Sequence, residues 1–278
     1  MRLSFVVMAY NQERYIADAV AAALAQDHPD LEIVLTDDCS TDGTFAIMQD
    51  MAAAYTGPHR IILNRNTPNL GLIGHVNHLF SLATSDYLIY AAGDDVSVPH
   101  RASRIAEVIA RDQPFYIHSN VTDLNGSGEE LAQQRDRQRQ KDLAGKSLPE
   151  LARAISHAIG ATSAWHRDIF TSFGPITETG LYEDQVFLFR GALLGKISYI
   201  DERLVRYRRD VGLSFEGKGD DLKRIGISLA VLRQRKLDVL RFAPHRRDIL
   251  KSLDRKTEKR LAEREALLAD AASRTGRG

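Results

Sequence analysis

Between Leu3 and Arg111, a short and uniformly apolar run is followed four times by a segment with helical periodicity. The runs are Leu3 to Ala9, Leu31 to Thr36, Ile61 to Asn64 and Tyr87 to Ala91. Strands with one wet face alternate apolar and polar residues. Strands that are apolar throughout are covered on both faces, which is the condition of a parallel sheet between two helical layers. The intervening segments suit those layers. Glu13 to Gln26 places Tyr15, Ile16, Ala19, Val20, Ala23 and Leu24 on one broad face. Thr44 to Tyr55 and Ile73 to Thr84 read as the next two helices. His100 to Arg111 is the fourth, with Pro99 suited to its first turn. His28-Pro29-Asp30 and Gly57-Pro58 punctuate the series. The fold class predicted is α/β, with a Rossmann-like, mostly parallel central sheet.

The second half is less regular. Phe115 to Val121 reads as a strand, Leu148 to Ile159 and Glu183 to Leu194 as helices, and Ile197 to Ile200 as a late strand. Leu131 to Lys146 is very polar, with Arg135, Arg137, Arg139 and Lys141 in close order, and reads as a loop or a solvated helix. Leu222, Ile225, Leu229 and Leu232 recur at helical spacing. Pro244 interrupts that pattern, and Leu250, Leu253 and Leu261 restart it more weakly. Formal charge balances over the whole chain, but from Asp221 onward sixteen Lys and Arg face eight Asp and Glu. Such a basic stretch is either a solvated helical surface or a face for anionic lipid or an acidic partner. Its apolar stripe suits docking on the core or a homo-oligomer seam. No run of eighteen apolar residues occurs, so a spanning helix is not expected and any membrane contact would be peripheral. The single cysteine, Cys39, excludes an intrachain disulfide and a cysteine zinc site, and fits a cytoplasmic setting.

Ligands of open parallel sheets bind beyond the carboxyl ends of the strands. Tyr10 and Asn11 follow the first run, Asp37 and Asp38 the second, Asp94 and Asp95 the fourth. One such acidic pair is ordinarily a turn or a helix cap. Two pairs at equivalent ends of one sheet are harder to explain that way, because adjacent like charges need cations or donors. Hard oxygen ligands suit magnesium or manganese, which bind through one or two carboxylates plus substrate phosphates. No G-x-G-x-x-G follows a strand and no G-x-x-x-x-G-K-[ST] occurs, which disfavours dinucleotide dehydrogenases and P-loop enzymes.

Five strings in order carry a specific resemblance: VVMAYNQERYIADAV, EIVLTDDCSTDGT, NLG with Asn77 beyond it, AGDDVSVPHR and YEDQVFLFRGALLG. Over residues 3–215 the chain resembles the family 2 glycosyltransferases of the GT-A fold. The resemblance implies a nucleotide-sugar-binding half over 1–111, an acceptor-binding and catalytic half over 112–217, and a basic helical extension over 218–278. It implies that Ala9, Tyr10, Asn11, Asp37 and Asp38 hold the nucleoside, with Asn69 and Gly71 beside them. Asp94 and Asp95 become the metal and donor contacts, with Mn2+ or Mg2+ as the cofactor. The family's metal motif is usually Asp-x-Asp, and Ala92 stands where its first acid would be. Asp184, beside Glu183, matches the catalytic base of an inverting single displacement. Arg206 and Arg208 match a basic segment that closes over the diphosphate, and Trp165 and His166 lie where an acceptor would sit. The expected partners are a nucleotide-sugar donor, with UDP favoured, and a glycan or lipid-linked acceptor; no nucleic acid is expected. The alternatives are a nucleotide-sugar-binding module without catalysis and a sugar nucleotidyltransferase. The latter would ordinarily carry a glycine-rich loop where this chain has Tyr10-Asn11-Gln12.

Overall fold

The computed structural model describes residues 2–134, 141–155, 158–209, 211–212 and 220–275. The first half runs β1 (Leu3–Ala9), α1 (Ile16–Leu24), β2 (Leu31–Asp37), α2 (Thr44–Ala54), β3 (Arg60–Arg65), α3 (Gly71–Leu82), β4 (Tyr87–Ala92), β5 (Val96–Ser97) and α4 (Arg101–Asp112). The second half runs β6 (Tyr116–Leu124), α5 (Leu148–Arg153), β7 (Ala164–His166), α6 (Asp168–Thr171), α7 (Glu183–Leu194), β8 (Ile197–Arg208), α8 (Asp221–Phe242) and α9 (Arg247–Thr275).

One sheet holds these strands in the order β3-β2-β1-β4-β7-β6-β8-β5. β3, β2, β1 and β4 are parallel, as their uniform hydrophobicity requires. β7 joins the halves by pairing antiparallel with both β4 and β6. The sheet separates two cores. Phe5 and Val7 of β1 face one way, with Ile16, Val20 and Met48 from α1 and α2 and Ile105 from α4. Val6 and Met8 face the other way, with Val76 and Leu79 from α3, Phe187 and Phe189 from α7, and Val231 and Leu253 from α8 and α9. Alternate residues of one strand therefore serve opposite layers.

Several expectations are corrected. β5 and β7 were not foreseen, since two or three residues carry no readable period. The helix expected over Leu148 to Ile159 stops at Arg153. Trp165 is fully buried in β7, with its ring 5.1 Å from that of Tyr90 and 4.7 Å from that of Phe187, so it cannot stack on an acceptor sugar. His166 pairs with Tyr87 at the start of β4, the end of that strand opposite Asp94, and its ring packs on Tyr87 and Phe115. It too is removed from the acceptor assignment. Arg135, Arg137 and Arg139 lie outside the described residues, while Lys141 pairs with Asp201 at 3.0 Å.

The region after 218 begins with a core helix. Asp220 caps α8 by accepting from the Lys223 amide at 2.9 Å. Arg190 of α7, wholly buried, makes two 2.8 Å bonds to the carboxylate of Asp238 in α8. Arg235, also buried, donates to the carbonyls of Leu151, Ala152, Ala154 and Gln185. Removing one partner of such a buried ion pair strands the other charge, at a cost of about 3–5 kcal/mol. Among the described residues no helix is long and apolar enough to cross a membrane.

Candidate active site

β1 lies between β2 and β4, with Ala9 opposite Asp37 and Met8 opposite Ala92. The loops after these three strands therefore converge. Asp37 is fully buried; it accepts from the Ser40 amide at 2.9 Å and from the Ser40 hydroxyl, and Arg65 lies 3.5 Å away. Asp38 accepts from Asn66 Nδ2 and the Leu70 amide, both at 2.9 Å. Asn69 donates through Nδ2 to the Asp38 carbonyl at 2.6 Å and accepts from the Gly71 amide at 3.0 Å. Gly71 starts α3 at φ 69°, a left-handed turn that suits glycine. Asn69 and Gly71 thus brace the acidic loop. Asn11, at φ 51°, ties the first loop to the second: its amide donates to Ser40 Oγ and its Oδ1 accepts from the Thr41 amide. Tyr10 is left 48% exposed at the rim.

Three residues of this cradle were missed in the sequence. Arg65 and Asn66 sit at the end of β3, where the strand-end rule also pointed. His75 of α3 holds Thr36 at 2.8 Å, and burial keeps its imidazole neutral, with the pKa down to about 4. No sequence signal marks His75 apart from an ordinary helical position.

Asp94 and Asp95 leave β4 together but have different environments. Asp95 accepts from the Arg208 amide of β8 at 2.8 Å, so it clips the two strand ends. Arg208 is buried; it donates to the Asp94 carbonyl at 2.7 Å and to Asp18 at 2.6 Å, and its guanidinium lies over Tyr15. The expected reach of Arg208 to a diphosphate is corrected, because its η nitrogens are committed to holding the Asp94–Asp95 turn. Arg206 remains exposed. Burial pushes both carboxyls up, and Asp95 is raised further by its neighbour Asp94. Among the described residues no three His, Cys, Asp or Glu side chains cluster around a cation position. Asp94 fits a hard divalent cation that takes one protein carboxylate and draws its other ligands from water and diphosphate. Asp95, turned to β8, fits less well.

Gly212, at φ 71°, presses on this turn: a Cβ there would come within 2.5 Å of Asp94 Oδ2. Gly212→Ala is expected to lower turnover by roughly 10- to 100-fold through a displaced carboxylate, with a small fall in melting temperature from the side chain forced onto a left-handed backbone. Steady-state kinetics beside a thermal melt check this, and unchanged turnover would show that Asp94 need not stay where it is.

Glu183 and Asp184 open α7, both buried. Burial drives Glu183 to about 8, helped by its neighbour, and Asp184 to about 7, against the pull of the Gln185 and Gly160 amides and of Arg235. Gly160 is required here, since a Cβ would reach within 2.5 Å of Glu183 Oε1. Both acidic pairs lie near Tyr90: its buried phenol is raised by burial and then by Glu183, Asp94, Asp184 and Asp95. Asp184 Oδ1 is buried with no donor, and it is the only carboxylate oxygen in that condition among the described residues.

The profile of Glycosyl transferase family 2 matches residues 4–173. The chain belongs to that family. An uncharacterized glycosyltransferase of Nostoc sp. is 28% identical over 75% of this chain and 65% of its own length. The Escherichia coli UDP-Glc:α-D-GlcNAc-diphosphoundecaprenol β-1,3-glucosyltransferase WfaP is 29% identical over 42% of this chain and 45% of its own. This family 2 chain therefore spans only part of each relative. Its fold is that of S. aureus TarS (residues 1–349) in complex with UDP-GlcNAc, at a TM-score of 0.67 and 18% identity over 94% of this chain and 72% of that one. The mannosyltransferase PcManGT of Pyrobaculum calidifontis, in complex with GDP-Man and Mn2+, shares it at a TM-score of 0.62 and 17% identity over 98% and 79% of the two chains. The family match ends at 173, so Asp184 rests on its own geometry.

Proposed function

We propose that this family 2 chain moves a sugar from a nucleoside diphosphate sugar to a hydroxyl of a glycan or lipid-linked acceptor, with inversion at the anomeric carbon. The observation that supports the reading is the buried Asp184 Oδ1, which has no hydrogen-bond partner and belongs to a carboxyl close enough to Tyr90 to act on it together with Asp94. An acceptor hydroxyl is a poor nucleophile, and a carboxylate with a pKa near neutrality removes its proton most effectively as it attacks. The acceptor oxygen bonds to the anomeric carbon as the bond to the diphosphate breaks, and the proton passes to Asp184. Asp38 accepts from the nucleoside, on a loop that Asp37 holds through Ser40 and Arg65, so the direct contact expected of Asp37 is corrected to a positioning role; Tyr10 offers its ring to the base, and Asp94 anchors the diphosphate end. Asp94 would hold a divalent cation there, which would supply charge neutralisation for the departing diphosphate. UDP is favoured by the TarS complex and by the donor of the E. coli relative; GDP-Man and Mn2+ in PcManGT support the same use of donor and metal.

The base assignment has a pH signature. Asp184 must be ionised to work, so turnover should rise with pH through about 7. Stability runs the other way. The folded state holds the Asp184 proton above the ordinary carboxylate range, so the stability this group confers is full below about pH 4 and is lost as pH climbs through its folded value. A pH–rate profile beside melting temperatures at each pH tests both slopes. A rate already flat from pH 5 upward would remove Asp184 as the base.

A further inference from the structure

The loop after β1 carries one side chain that the transfer reaction above leaves unused. Gln12 lies between Asn11 and the start of α1, and its backbone is already spent on the fold. Its amide donates to Thr44 Oγ1 at 2.7 Å, and its carbonyl accepts from the amides of Tyr15 and Ile16, both at 2.9 Å. The side chain turns instead to the end of β4. There its amide nitrogen donates to the Asp94 carboxylate. The amide oxygen lies against Gly93: a Cβ at that glycine would collide with it and come within 3.0 Å of Ala9 Cβ and Ile16 Cδ1. Gly93 thus leaves the room that the Gln12 amide fills beside Asp94. Gln12 Oε1 is buried and has no hydrogen-bond partner. An ionised carboxylate only accepts, so the amide must offer Asp94 its nitrogen, and the oxygen is left over. A buried acceptor in that condition costs about 1–3 kcal/mol. The cost is borne for the contact with Asp94 and not for α1, which the backbone of Gln12 already starts.

With Ala92 where a first acid would be and Asp95 turned to β8, Asp94 is the carboxylate that this turn offers a cation. The aim of that one side chain then decides how well a cation is received. We propose that Gln12 is a positioning residue, whose side-chain amide holds the Asp94 carboxylate in the orientation that receives a divalent cation. Groups that hydrogen-bond a metal's ligands orient them, and losing one typically costs 10- to 100-fold in metal affinity. The same side chain joins the loop after β1 to the turn after β4. The proposal rests on the reading of Asp94 as the cation's ligand, and Asp94→Ala separates the failure of one from the failure of the other.

The test titrates manganese into the full-length protein with saturating UDP and reads the free ion by its paramagnetic resonance. Wild type, Gln12→Met, Gln12→Ala and Asp94→Ala are compared. Methionine keeps the length of the side chain and its packing against Gly93 and Ile16 but has no donor. Both Gln12 variants should bind manganese roughly 10- to 100-fold more weakly. Their affinity for UDP without metal should stay at the wild-type value, as should their melting temperatures without ligand, because the backbone contacts of the residue remain. Wild-type manganese affinity in Gln12→Met overturns the proposal even where Gln12→Ala loses it, since packing rather than donation would then be at work. An equal fall in metal-free UDP affinity also overturns it, by placing the effect of the side chain on the nucleoside loop. Manganese lost in Asp94→Ala and kept in both Gln12 variants leaves Asp94 standing and sinks Gln12 alone. A wild type that takes up no manganese, or an Asp94→Ala variant that keeps it, brings down both.

Discussion

Asp184→Asn is expected to reduce sugar transfer by roughly 10²- to 10⁴-fold, the usual worth of a positioned general base, and to leave donor affinity unchanged. The substitution keeps size and hydrogen-bonding geometry but removes the basic oxygen. It also removes a charge that the fold buries at a cost. Burial raises Asp184 to about 7, so the neutral amide should stabilise the protein above that pH by on the order of 2–4 kcal/mol and change little at pH 4. Transfer kinetics, donor titration and melting at pH 5 and pH 8 read the three effects separately. A variant with near-wild-type turnover would sink the assignment. One that loses turnover and is also less stable at pH 8 would make Asp184 a structural residue.

Asp94→Ala should weaken cation-dependent donor binding by roughly 100-fold or more, above the 10- to 100-fold typical of groups one layer outside a metal's ligands. Donor binding raises apparent stability in proportion to its occupancy. Melting temperatures with a panel of UDP and GDP sugars, with and without manganese, therefore give the affinity and the preferred nucleotide in one experiment. The wild type should show an added stabilisation with manganese that the variant lacks. If the variant keeps that increment, Asp94 does not hold the cation. Asp95→Asn gives a useful contrast: Asp95 accepts from the Arg208 amide, so its main loss should be in the melting temperature without any ligand.

The first half was legible because its constraints are local. β1, β2 and β4 are buried along almost their whole length because both faces are covered, while the edge strand β3 is only half-buried, and the apolar pattern survives in a single sequence. The acids at their ends stood out because nothing in a turn requires two of them. The limits were equally physical. β7 spans three residues, too few to show a period, so the sequence left Trp165 open between an acceptor contact and a core residue, and it is a core residue, stacked with Tyr90 and edge-on to Phe187. His166 followed it into the wrong end of the sheet. Arg208 was matched to a segment that closes over the diphosphate, and the sequence could not show its partners, because Asp18 and the Asp94 carbonyl lie 190 and 114 positions away in the chain. Sequence spacing shows which residues are adjacent along an element. It does not show which cations are already neutralised by distant partners.

Arg235 has a consequence for engineering. Its guanidinium lies in α8, fifty positions beyond Gln185, whose carbonyl it grips, and it is among the groups that hold Asp184 down against burial. The matched family region stops at 173 and contains neither residue. A chimera that joined a foreign C-terminal helix to this catalytic half would inherit the carboxylate without the cation that tunes it. It would be a base set to the wrong pH rather than a missing one. Recombination among such enzymes is therefore best made with α7 and α8 exchanged as one piece.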